Sequence, residues 1–325
     1  MRASEPFAPE DVAALIRAAV AAPSIHNSQP WRFGDHDDRI ELYLDRRRPL
    51  PVADPGDRER VISCGAALFN LRLAMTHLGY EPVVTVLPGP DHLATVARGE
   101  RQPANASLEQ LFQAIHRRRS YRRPFGPQAV ARDVIDELVD AAGVEEASLD
   151  GVTTPAGQLA LIDLSSAAAS WLLTNPAYRS ELAHWTRHGS PAADGVQLSA
   201  LGGSQYPVNG LPWALAADPD VAIAELRAHV LLVLGTSRDT PEAWLQAGQA
   251  LQRVLLTATA RGLVASLFTQ VAEVDATRRM LAHHLRLTGL PQAVLRIGYP
   301  AGGDVPSSAR RRLDTAFLPD SGGTR

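Results

Sequence analysis

From Pro9 to Ala22 the apolar residues Val12, Leu15, Ile16, Ala19 and Val20 return at three- and four-residue intervals. This predicts an amphipathic helix stopped by Pro23. The stretch Asn27 to Trp31 reads as a loop, and the alternation Ile40-Glu41-Leu42-Tyr43-Leu44 predicts a strand. Arg58 to His77 predicts a second helix, apolar on nearly every side between Val61 and Met75, and such a helix is buried all round. Gly79 closes it, and Pro82 to Leu87 predicts the next strand.

The second half repeats this plan imperfectly. A helix is predicted from Ser107, with a capping arrangement Ser107-Leu108-Glu109-Gln110 and apolar Leu108, Leu111, Phe112 and Ile115; another follows from Val130 to Ala142. A helix containing Ala243 to Leu251 then runs to Gly262, and a strand-like run Leu263 to Phe268 follows. Gly65 aligns with Gly248, and Gly79 with Gly262, without a gap. Two tandem copies of one unit explain the match; a coincidence between two alanine-rich helices is the alternative. The expected division is 1–105 and 106–325, with an insert at about 165–240 holding Trp171, Trp185 and Trp213. Such an insert is a lid or binding loop, or else a surface excursion packed by its own aromatics.

Composition removes several chemistries. All 32 residues counted as Lys+Arg are arginines, so a Schiff-base lysine and a P-loop lysine are both excluded; no Gly-x-Gly-x-x-Gly follows a strand-like run. The formal charge of −3 gives no global attraction to nucleic acid or anionic membrane. Cys64, the single cysteine, lies in an apolar run and is expected to be a buried, inert thiol. The histidines lack metal-ligand spacing, so no metal site is expected. With no leader-like N-terminus and no apolar run of membrane-spanning length read from the sequence, the protein is expected to be cytoplasmic, with no membrane partner.

Chemistry concentrates in three places. Arg117-Arg118-Arg119-Ser120-Tyr121-Arg122-Arg123 follows the helix from Ser107, where arginines also complement the helix dipole. A hydroxyl among forked cationic donors is what a phosphate requires. Pro23-Ser24-Ile25-His26-Asn27-Ser28-Gln29-Pro30-Trp31 offers amides and a hydroxyl on a stiffened backbone, although an ordinary Pro- and Asn-rich turn has the same residue types. Gly298-Tyr299-Pro300 precedes a further basic group, Arg310-Arg311-Arg312. The triplet Arg46-Arg47-Arg48 reads as a solvated turn.

These segments resemble the flavin nitroreductases, in which an Arg-Arg-Ser-x-Arg segment holds the FMN phosphate and a Pro-Ser-x-x-Asn-x-Gln-Pro-Trp segment of the partner subunit covers the flavin ring. Here both lie on one chain, most like the Acg-type fused members. The resemblance implies an α+β nitroreductase-like fold made of two tandem degenerate copies that form an intramolecular, monomeric pseudo-dimer. It implies FMN, one per chain, held by Pro23, Ser24, Asn27, Gln29, Arg118, Arg119, Ser120, Arg122, Ser266, Arg310 and Arg311. NAD(P)H would be the reductant and a small-molecule nitro or quinone compound the electron acceptor. No protein side chain is expected to be catalytic, because flavin N5 would be the reactive centre. After the helix ending at Ala142 the chain reads Gly143-Val144-Glu145-Glu146, with no second Pro-Ser-x-x-Asn motif, so the symmetry-related site is expected to be lost. A second reading is an FMN-sequestering stress or dormancy protein with little turnover. A third, a nucleic-acid binder using Arg117 to Arg123, is disfavoured by net charge and sparse aromatics.

Overall fold

The computed structural model describes residues 6–103, 105–123, 125–187, 192–197, 229–302 and 307–318. Along the chain, α1 (Pro9–Val20) leads through a 3-10 turn at Ile25–Asn27 to β1 (Trp31–His36), β2 (Arg39–Leu44), α2 (Arg58–His77), β3 (Tyr80–Val86) and β4 (His92–Arg101). After α3 (Ala106–Ala114) come α4 (Arg132–Val144), β5 (Ser148–Gly151), α5 (Pro155–Thr174) and α6 (Pro176–Trp185). The short strands β6 (Thr186–Arg187) and β7 (Val196–Gln197) pair with each other. Then follow β8 (His229–Thr236), α7 (Pro241–Ala260), β9 (Val264–Phe268), α8 (Gln270–Glu273), α9 (Asp275–Leu285) and β10 (Leu290–Gly298).

Two four-stranded antiparallel sheets result, ordered β1-β2-β4-β3 and β5-β8-β10-β9, so corresponding strands occupy corresponding places. The architecture is α+β. Between the sheets, α2 and α7 make the most extensive contact of any two helices. They cross at the aligned glycines. A Cβ on Gly65 would sit 2.9 Å from the Gly248 Cα, and one on Gly248 would sit 2.7 Å from the Gly65 Cα; each would lie closer still to a carbonyl oxygen, of Leu245 or Ile62. Only glycine permits that approach. The other aligned pair, Gly79 and Gly262, adopts left-handed φ of 85° and 75° just beyond the two helices, where a residue without a Cβ ends a helix at little cost. Along the seam Gln252 donates to Asn70 at 2.7 Å, and Asn70 donates to the Ala18 carbonyl at 2.8 Å, so a chain of buried amide bonds crosses between the halves.

Two exchanged segments tie the halves together. The chain beyond α3 crosses to the second sheet, where Ser120 bridges Ala265 and the Tyr121 amide donates to the Ala265 carbonyl at 2.8 Å. The C-terminal segment returns to the first sheet, where Phe317 bridges Phe33 and the Leu318 amide donates to the Phe33 carbonyl at 2.8 Å.

Several expectations are corrected. The cap of α3 is Asn105, whose side chain accepts from the Leu108 amide at 2.8 Å, and not the Ser107 arrangement. Residues 229–236, inside the span expected as an insert, form an inner strand of the second sheet. The insert also begins earlier than expected, since α5 starts at Pro155. This helix is long and apolar enough to span a membrane, contrary to the sequence reading, but Leu161, Ile162, Leu164 and Ala168 on it are packed inside the protein. Trp213 lies outside the described residues, and Cys64 is buried and unpaired.

Glycine at the helix crossing is therefore a strict requirement. Gly65→Ala or Gly248→Ala is expected to destabilise by about 3 kcal/mol or more, because carbonyl oxygens on the facing helix cannot move aside. Gly143→Ala, in α4 with nothing near the added methyl, is expected to stabilise by about 1 kcal/mol. Urea denaturation of the three variants checks both signs.

Candidate functional site

Where the halves meet, a cavity of about 350 Å³ is lined by the loop after α1, the N-terminal part of α2, the Arg118–Arg122 segment, the β9–α8 connection, α6 and the C-terminal segment. The loop is held in an uncommon backbone form. His26, Asn27 and Gln29 have φ of 49°, 53° and 50°, a region that residues with a Cβ occupy only when their surroundings compel it. Here the compulsion is a set of hydrogen bonds. The Ile25 amide donates to Ser63 Oγ at 3.1 Å, and the Gln29 amide donates to Ser24 Oγ at 2.9 Å.

Of the residues singled out in the sequence, Pro23, Ser24, Asn27, Arg118, Arg119, Ser120, Arg122, Ser266 and Arg310 line the cavity. Gln29 and Arg311 are not in its lining, and bind each other instead. Gln29 Oε1 accepts from the Arg311 amide at 3.0 Å, its Nε2 donates to the Ala193 carbonyl at 2.8 Å, and the Arg311 guanidinium donates to the Gln29 carbonyl at 3.0 Å. Asn27 is also largely spent, donating to the Gly195 and Ala309 carbonyls at 3.1 Å each. These two amides fasten the insert. Arg48 completes the fastening: it pairs with Asp194, donates to the Ser28 carbonyl and lies 5.2 Å from the centre of the Trp185 ring. The expected solvated turn at Arg46-Arg47-Arg48 thus ends in a shielded arginine.

Arg310 reaches the cavity with its donors already engaged. It donates to the carbonyls of Val20 (2.7 Å), Ala21 (3.1 Å) and Ala22 (3.0 Å) at the end of α1, and to Asn27 Oδ1 at 3.1 Å. It clamps a helix C-terminus and lends the cavity its charge. Arg119 donates to the His116 and Arg118 carbonyls at 2.7 and 2.8 Å. Arg118 and Arg122 differ, since no ion pair or side-chain hydrogen bond to protein engages either among the described residues, and the Arg118 Nε is shut away from solvent. Burial, then Arg310, Arg119 and Arg122, lower Arg118 to about 9; burial also lowers Arg122, and burial followed by Arg119 lowers Arg310 to about 10. Four guanidiniums crowd together with no carboxylate from the described residues among them, so an anion placed there would be strongly favoured. The same burial leaves little of this cluster for a nucleic-acid backbone.

His26 also lines the cavity, with Nε2 buried and unpartnered among the described residues; burial and then Arg122 hold it down at about 4. Elsewhere on the wall two carboxyls, Glu59 and Glu273, are pushed up by burial to about 7 and about 8. Sequence reasoning gave none of these three residues a role. A charged residue near the start of a helix ordinarily reads as solvated, and nothing local to Glu59 or Glu273 says otherwise.

The displacement that carries Gly65 to Gly248 also carries Glu59, Ile62, Ser63 and Ala66 to Glu242, Leu245, Gln246 and Gln249. Those four residues line a second hollow, of about 330 Å³, with Val144, Glu145 and Glu146 at the end of α4. It stands in the symmetry-related place, but glutamates occupy the positions where the first cavity has the Pro23–Asn27 loop. Arg72 and Arg253 bind Glu145 there, at 2.7 and 3.0 Å.

Residues 115–299 match the family model described as the nitroreductase family. A Mycobacterium tuberculosis protein provisionally named an NAD(P)H nitroreductase is 34% identical over 314 residues, covering 94% of this chain and 90% of its own. An uncharacterized protein of the same organism is 33% identical over 320 residues, covering 93% and 91%. Among solved structures, a nitroreductase with bound FMN from Bacteroides fragilis is 14% identical, covers 65% of this chain and 98% of its own, and has a TM-score of 0.41.

A buried histidine that stays neutral links stability to acid. Its unfolded form takes a proton near 6.5 and its folded form only near 4, so stability falls as pH drops through that window. His26→Asn, which tolerates the left-handed backbone, is expected to lose less stability than the parent between pH 7 and pH 4. Melting temperatures of the two proteins across that range check it.

Proposed function

The chain belongs to the nitroreductase family, and from that premise we propose that it is an FMN-dependent oxidoreductase whose single flavin occupies the cavity between the halves. The observation that carries this reading is the pair Arg118 and Arg122, uncompensated by any carboxylate among the described residues, beside Ser120 on that cavity's wall. Bound there, FMN would supply a two-electron centre able to take hydride from NAD(P)H and pass it to a nitro or quinone compound. The protein's part is to hold and shield it. Arg118, Arg122 and the Ser120 hydroxyl would grip the phosphate, with Arg119 and Arg310 adding charge at a distance. Ile62, Ala66, Leu251 and Ala293 give the apolar wall a flavin ring needs, and the backbone from Ser266 to Gln270 runs along the same cavity. Pro23, Ser24 and Asn27 would cover the ring. Gln29 and Arg311 would act one step back, keeping that cover in its left-handed form.

The second hollow supports a stoichiometry of one. Arg72 and Arg253 are taken up by Glu145 there, and Glu146 and Glu242 add negative charge where the first cavity attracts a phosphate. The insert fastened through Asn27, Gln29 and Arg48 favours a second reading, in which the flavin is held but turns over slowly, because Trp185 and Thr186 close part of the cavity wall.

Arg118→Ala combined with Ser120→Ala is expected to weaken FMN binding by about thirtyfold or more, since charge-assisted bonds of about 1.5–3 kcal/mol each are lost. Fluorescence titration of the apoprotein with FMN measures this, and unchanged affinity would sink the phosphate assignment. Anaerobic NADPH and NADH titration of the holoprotein separates the two readings. Rapid bleaching of one flavin per chain is the reductase outcome, and persistent absorbance is the sequestering one.

A further inference from the structure

We propose that Glu273 is the proton donor of this cavity, giving its carboxyl proton to an acceptor of the quinone class as that acceptor takes hydride from the bound cofactor. The inference rests on the reading just given. Three carboxyls gather where α8 meets the start of α2, and each has a different standing. Asp54 accepts the Glu59 and Arg60 amides at 3.0 and 2.9 Å, capping α2. Glu59 pairs with Arg58. The terminal nitrogens of Arg58 are then occupied, donating also to the Ala272 carbonyl at 2.8 Å and to Gln292 at 3.0 Å. Arg278 is committed to Asp239 at 2.8 Å. Glu273 is left over. Both its oxygens are sealed from solvent, and neither accepts a well-formed hydrogen bond among the described residues, while the residue lies on the cavity wall.

An ionised Glu273 would be a buried charge beside Glu59 and Asp54 with no ion pair of its own among the described residues, so the neutral acid is the stable form at neutral pH. The groups facing it are consistent with that state. Burial and then Glu59 raise Glu273 to about 8, Asp54 adds to this, and the Thr269 hydroxyl and Arg58 counter it in part. Tyr178, whose hydroxyl accepts from Gln270 at 3.1 Å, is itself pushed up by burial and by Glu273, and brings no positive charge. Among the other groups on the wall, Glu59 is held by Arg58 and His26 is a neutral imidazole.

The stoichiometry closes. A quinone that receives a hydride at one oxygen, two electrons and one proton, becomes a hydroquinone monoanion and needs one more proton at the other oxygen. The Glu273 O–H bond breaks, the second hydroquinone O–H forms, and the carboxylate, exposed in the cavity after the product leaves, regains a proton from water that enters there. Rotation of the side chain would bring the carboxyl from the wall into the cavity.

The test compares full-length holoprotein with Glu273→Gln, which keeps the shape of the neutral acid. The variant is expected to bind FMN and to accept hydride from NAD(P)H as the parent does. Its reoxidation by p-benzoquinone is expected to slow about 10²-fold or more and to lose the dependence on pH near 8. Reoxidation by ferricyanide, which takes electrons without protons, is expected to be unchanged. A readout without turnover is the ¹³C carboxyl resonance of Glu273, assigned by its absence in the variant and expected to titrate near 8. Equal slowing with both acceptors, an unaltered quinone rate, or a carboxyl that titrates in the ordinary acid range would each overturn the proposal while leaving the flavin reading intact. Failure of the parent to take up FMN would overturn both.

Discussion

The approach of Gly65 to Gly248 fixes the spacing of everything around it. With no side chain between them, α2 and α7 lie nearly backbone to backbone, so each can be covered on its remaining sides by its own half. That is why α2 is buried from Arg58 to Leu71, the charged Arg58, Glu59 and Arg60 included. The cavity forms beside this seam, where the start of α2 meets β9, the loop after α1 and the segment exchanged from α3. A wider crossing would separate the Arg118–Arg122 segment from the Pro23–Asn27 loop, and neither encloses a site alone.

Opposed electrostatic demands meet on the cavity wall. Arg118 and Arg122 are cations with no ion pair among the described residues, whereas Glu273 is a carboxyl with none, only Arg58 acting on it from a distance. Each is costly to bury, and neither is arranged to relieve the other. Strained backbone at His26, Asn27 and Gln29 adds to that cost. The apolar clusters on either side of the glycine-tight seam work against that cost.

The parts legible in the sequence are those governed by local rules. The long apolar helices, the glycines that end them and the Arg-Arg-Ser segment all follow from periodicity or residue type. Strands β8 and β10 were missed for a physical reason: both are buried on two faces, so Leu231 to Leu234 and Val294 to Ile297 lack the alternation that marks a half-exposed strand. Strand β1 was hidden by the adjoining loop motif. Within the site, residue chemistry was visible but residue employment was not. Asn27 and Gln29 have the groups a flavin edge would use, yet their amides go to backbone carbonyls of the insert, more than 160 positions away. Arg310 has the charge for a phosphate, but its donors were needed at the end of α1. Such allocations depend on which distant carbonyls come within 3 Å, and spacing along one chain carries no record of that.

The hollow at Glu242, Gln246 and Gln249 bears on how such a protein can change. In a dimer of identical subunits every substitution occurs twice, so a residue that harms one of two equivalent sites harms the other. Here the two sides of the seam are encoded separately. Glu145 binds Arg72 and Arg253 from the two central helices, a strut at the place where the first cavity has the Pro23–Asn27 loop. One side can therefore be turned into reinforcement while the other keeps its opening, and a single codon is enough to make them differ.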